Sequence, residues 1–216
     1  MNKRTFSTTL TERDPMKTHL IQIALTLAAA LCARGQGTIL YDQQSVTNEI
    51  VPAGIVTPIQ TQQPFGQSFV PSFSTIGLIR VYLSDQSLGG VGATVDINLW
   101  SGSIGNGTLI SSTHAMFLMH GFFGYTNFFF SAPVPVSPGT TYFFQPFVES
   151  GDSDNGMVTG LTERFNYPAG AAIISGSPSS GFDLLFREGI EVPEPSSVSL
   201  AILGLVGLFA ALRRRA

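Results

Sequence analysis

Lysine is missing from the chain beyond Lys17, cysteine occurs once, at Cys32, and tryptophan once, at Trp100. A lone cysteine leaves no internal disulfide, so the fold must be held by its core alone. Between residues 36 and 194 the only basic residues are Arg80, Arg164 and Arg187, set against twelve acids, a formal charge of about −9 where the whole chain carries −3. With no basic patch to displace counterions, nucleic acid is not expected as a partner, and an anionic polysaccharide would need a bridging cation. Helical apolar periodicity is also missing between Gly35 and Glu191. No nucleophile elbow, phosphate loop or paired-carboxylate motif stands out.

What the chain does have is period-two alternation. In residues 93–100 it predicts Val95, Ile97 and Leu99 facing a core and Asp96 and Asn98 facing water. Residues 75–83 repeat the pattern, with Ile79, Val81 and Leu83 on one face and Arg80 on the other. Further strands are expected at 37–42, 66–70, 109–117, 125–131, 140–148, 156–161 and 182–186. Turn-forming clusters separate them at 84–85, 89–90, 101–107, 137–139 and 151–156. The expectation is an all-β domain over residues 36–191, an antiparallel β-sandwich of jelly-roll type. About 160 residues suffice for one domain with a real core.

Both ends read differently. Residues 1–35 combine a charged extension, the basic start Met16-Lys17-Thr18-His19, and the apolar run 20–31, which together predict a secretory signal helix. Met16 is an alternative start for translation, and Ala33-Arg34-Gly35 offers cleavage before Gln36, which would remove Cys32. Residues 192–216 place Pro193-Glu194-Pro195 before an apolar helix and the cluster Arg213-Arg214-Arg215. The prolines are expected to hold Glu194 in extended backbone, and the arginines to anchor the helix at the cytoplasmic face of a membrane. On the residues alone, a plain membrane anchor and a processed one are both open.

That ordered triplet resembles the PEP-CTERM sorting signal of Gram-negative bacteria. The resemblance implies export by the general secretion machinery and a transient anchor in the inner membrane. An exosortase would then recognise Pro193, Glu194 and Pro195 and release the protein toward the surface or extracellular polymer. A second resemblance runs through Phe65-Gly66-Gln67-Ser68-Phe69-Val70, Ile79-Arg80-Val81-Tyr82-Leu83-Ser84, Val95-Asp96-Ile97-Asn98-Leu99-Trp100 and Val136-Ser137-Pro138-Gly139-Thr140-Thr141-Tyr142. These are similar to the choice-of-anchor surface domains, which resemble carbohydrate-binding jelly rolls, and they speak to fold more than to activity.

Candidates for chemistry are few. Trp100, with Asp96 and Asn98 before it on the same strand face, is a possible sugar contact, against simple packing under the glycine-rich loop that follows. Asp152 and Asp154 place oxygen ligands on a tight loop as calcium needs, one residue short of the usual spacing, against an ordinary acidic turn. His114 and His120 lack the spacing and carboxylate partners of a zinc or hydrolase site. The groups 122–123, 128–130 and 143–144 must send successive phenylalanines to opposite sheet faces. The reading is an exported, non-enzymatic surface or matrix protein with polysaccharide as its candidate ligand. The alternative is a secreted glycan-active enzyme of jelly-roll fold, in which two distant carboxylates meet in space.

Overall fold

The computed structural model describes residues 37–47, 55–163, 167–179 and 181–192. The N-terminal signal helix, Cys32, the C-terminal hydrophobic helix and Pro193, Glu194, Pro195, Arg213, Arg214 and Arg215 lie outside them. Among the described residues no helix is long and apolar enough to cross a membrane. They form strands β1 (Thr38–Gln44), β2 (Val56–Pro58), β3 (Gly66–Phe69), β4 (Thr75–Asp85), β5 (Ala93–Ser101), β6 (Thr108–Ser112) and β7 (Met116–Leu118). After these come β8 (Phe123–Pro135), β9 (Tyr142–Gly151), β10 (Met157–Glu163), β11 (Ala172–Ile174), β12 (Ser177–Ser179), β13 (Phe182–Leu184) and β14 (Phe186–Val192).

The strands make two antiparallel sheets. The first runs β1-β14-β4-β10-β13, with β8 on the other edge of β4 and β2 on β10; the second runs β12-β11-β3-β9-β5-β6, with β7 also on β5. The predicted alternation explains the core. Ile79, Val81 and Leu83 from β4 and Val95, Ile97 and Leu99 from β5 are fully buried in one shared cluster. Rings lock the layers: Phe144 of the second sheet lies 5.2 Å from Phe186 of the first, and Tyr167 meets Phe186 edge-on at 5.3 Å. Such tilted contacts add to the burial of each ring, itself worth about 1.5–3 kcal/mol. The consecutive phenylalanines do split between faces, with Phe128 and Phe144 buried and Phe123 and Phe129 exposed.

Two expected strands each divide in two. The stretch 109–117 breaks at Thr113, which still bonds Ile97 of β5 while bridging Phe130 of the first sheet, and His114 N donates to Phe129 O at 3.1 Å. The stretch 182–186 breaks at Leu185, which switches partners: its N–H bonds Gly160 on β10 and its carbonyl accepts from Tyr82 on β4. A polar tie also sits inside the core. Gln67 donates to Asp183 at 2.7 Å and accepts from Leu184 N, while Tyr167 N donates to the second Asp183 oxygen. Each polar group thereby recovers the bonds that burial took from it.

Candidate functional site

On β5 the inward residues leave Thr94, Asp96, Asn98 and Trp100 on the outer face of the second sheet. Cross-strand register sets Phe147 opposite Asp96, Gln145 opposite Asn98 and Phe143 opposite Trp100. The Trp100 indole N–H donates to Gln145 Oε1 at 2.9 Å, and Gln145 in turn donates to Gln63 Oε1 at 2.6 Å. Gln63 closes the chain on the Pro146 carbonyl at 3.0 Å. This relay pins the indole edge, so the partly exposed ring stays on the sheet surface. Asn98 is held from the β6 side, where the Ser112 hydroxyl donates to its Oδ1.

Asp96 departs from expectation. It points to the outer face as the alternation requires, yet it is only 5% exposed, and its Oδ1 is sealed from solvent without a hydrogen-bond partner. Facing outward therefore does not mean facing water, because neighbours on a sheet surface can cover a short side chain completely. Burial, with the Glu149 charge added to it, pushes the Asp96 carboxyl up to about 6. Asp96 thus shapes the electrostatics beneath the face while exposing little of its carboxylate. Asn98 and Trp100 remain as surface groups.

A cleft of about 230 Å³, unforeseen from the sequence, is lined by Phe143, the cross-strand neighbour of Trp100. Phe143 lies in it, with Pro64, Ile173 and Pro178 to one side and Ser103, Ile104 and Asn106 on the loop that leaves β5. That loop folds across the sheet because Gly102 and Gly105 take φ of 85° and 79°, which ordinary side chains resist. Ile104 then settles over Gly66, where a Cβ would lie 2.7 Å from Ile104 Cδ1 and 2.0 Å from the Phe144 carbonyl oxygen. A single isoleucine in the glycine-rich stretch 101–107 was the available signal.

The two other candidates are structural clamps. Asp152, buried at φ 51°, accepts from Met157 N at 2.8 Å on one oxygen and from Gln60 Nε2 at 2.7 Å on the other. Asp154 accepts from Leu88 N at 2.7 Å. Their oxygens tie neighbouring loops together, and among the described residues no group of three or more acidic, histidine or cysteine side chains could hold a metal. His120, expected to lack a carboxylate partner, has one: Asp85 Oδ2 lies 3.2 Å from its Nδ1. Ser87 Oγ approaches that same nitrogen at 3.3 Å. A nucleophile relay needs the serine and the acid on opposite ring nitrogens, so the trio is not a catalytic triad.

Residues 191–215 match the PEP-CTERM protein-sorting motif. The match begins on the last two residues of β14 and covers the tail, including Pro193, Glu194, Pro195 and the arginine cluster. It supports the reading of the chain as an exosortase substrate, exported and anchored in the membrane before processing. No curated protein matches the chain.

Proposed function

We propose that the domain is a non-enzymatic, glycan-binding component of the cell surface or extracellular matrix, a jelly-roll sandwich delivered there by exosortase processing. One observation carries the proposal: Trp100, Phe143 and Phe147 lie with Asn98 on a single sheet face, beside a cleft. Sugar rings present apolar C–H faces and a rim of hydroxyls, and recognition sites answer with aromatic surface and a few fixed polar groups. Gln145 supplies the rigidity by holding the indole from its edge. The enzymatic alternative finds one supporting feature, the raised carboxyl of Asp96 near Glu149. A general acid must reach the bond it protonates, however, and Asp96 is only 5% exposed, with its Oδ1 closed off from solvent.

The sole tryptophan of the chain makes the test direct, because its emission reports this face alone. Adding soluble oligosaccharides should shift Trp100 emission and release heat in a calorimeter. Trp100→Ala should weaken the calorimetric affinity by about tenfold or more, equivalent to about 1.4 kcal/mol. The reading is wrong if no glycan class, neutral or charged, produces either signal.

A further inference from the structure

Resting on that reading, we propose that the bound glycan is neutral and that one of its sugar residues seats in the cleft over Phe143. The cleft's size sets the unit it takes. At about 230 Å³ it falls below the roughly 300 Å³ at which pockets for drug-sized ligands begin, so it accommodates a ring-sized unit rather than a long stretch of polymer.

Its lining sets the charge. Phe143, Ile173, Ile104, Pro64 and Pro178 supply apolar walls, Ser103 and Asn106 supply the polar groups, and no charged side chain is among them. Neither the Ser103 hydroxyl nor the Asn106 amide has a hydrogen-bond partner among the described residues, so both are free to meet sugar hydroxyls. A uronate, sulfate or phosphate group pressed against these walls would lose its hydration with no cation to replace it. It would also approach a domain whose formal charge is about −9. An amino sugar would be drawn by that field, yet the cleft holds no carboxylate to pair its ammonium. A neutral residue alone meets no electrostatic cost.

The experiment uses the full chain in a zwitterionic detergent, since glycosidic detergents would compete. Trp100 emission and calorimetric heat are followed with three probes: neutral gluco- and manno-oligosaccharides, an oligogalacturonate, and a chitosan oligomer. Each titration is run at about 20 mM and about 500 mM salt, where screening of charge differs most. Asn106→Phe plugs the cleft from an exposed loop position, keeps Trp100 as the sole tryptophan, and is checked for an unchanged melting temperature. We expect a neutral oligosaccharide to bind equally at both salt concentrations, and about tenfold or more weaker in Asn106→Phe. Preferential, salt-sensitive binding of oligogalacturonate or chitosan would overturn the assignment of a neutral ligand while leaving glycan binding intact. Neutral binding unaffected by Asn106→Phe would remove the cleft as its seat. Silence with every probe would reject the glycan function itself, and this inference with it.

Discussion

Glu188 is the group whose removal should change the protein most visibly. It follows Phe186 by two on β14, so it faces the core, and it is fully buried. Asp42 is near enough to act on it both as a charge and as the acceptor for its proton. Burial first, and the Asp42 charge second, push the Glu188 carboxyl up to about 9 from an ordinary 4.5. For Asp42 burial acts in the same direction, but the Ser72 hydroxyl and the N–H groups of Phe73 and Ser72 outweigh it and hold that carboxyl low. The folded protein therefore keeps one proton on Glu188 while Asp42 is ionised. Because the pKa is raised on folding, this contribution to stability is fully present below about 4.5 and is lost as pH climbs toward 9. Between pH 5 and pH 8 three units would cost about 4 kcal/mol at 1.36 kcal/mol each, and roughly 2 kcal/mol is expected once the site relaxes. Glu188→Gln has the same shape, cannot ionise, and can donate from its amide toward Asp42 as the protonated acid would. Thermal melts followed by circular dichroism should show the variant about 4–8 °C more stable at pH 8 and nearly equal to the parent at pH 5. Equal pH slopes in the two proteins, or a variant less stable at pH 8, would refute the buried neutral acid.

Asp96 should behave alike on a smaller scale. Its carboxyl rises to about 6, so its share of stability is lost between about pH 4 and pH 6, and Asp96→Asn should gain roughly 1–2 kcal/mol in melts at pH 7.5 but little at pH 4. Asp152→Ala removes the acceptor for Met157 N and Gln60 and should cost about 1–3 kcal/mol in denaturant titrations, while millimolar calcium leaves the parent's melting temperature unmoved. Mass spectrometry of protein recovered outside the cell should find a C-terminus lacking Arg213, Arg214 and Arg215. In Glu194→Gln the intact arginine cluster should instead stay with the membrane fraction.

How much of this could be read beforehand depends on where each signal lies. The buried faces of β4 and β5 follow from alternation within one short stretch, because a two-residue period is a local property. Strands β2, β11 and β12 hold three residues each, too few for any period, and exist only as partners of β10, β3 and β11 in turn. Arg187-Glu188-Gly189 resembles a solvent turn. Its burial depends on pairing with Leu78, Ile79 and Arg80, more than a hundred residues earlier, and on neutralising an acid, which no local pattern announces. Trp100 and Asn98 were legible as a surface pair, whereas the cleft unites Pro64, Ile104, Phe143 and Ile173 from four separate segments. Asp85 and His120 likewise meet only through the fold, 35 positions apart.

Strand order also decides which loops gather at each end of the two sheets. β4 ends at Asp85, whose loop leads into β5, and the 152–156 turn and His120 gather at that same end through Gln86, Gly92 and Asp85. Trp100 and Ser101, at the far end of β5, therefore lie toward the end where β4 begins. β14 runs antiparallel to β4, with Phe186 opposite Val81 and Gly189 opposite Leu78, and so carries Val192 out at that end as well. Trp100 and Val192 thus lie toward one end of the strands, and the exposed side chains of Leu88, Val91, Met119 and Phe123 toward the other.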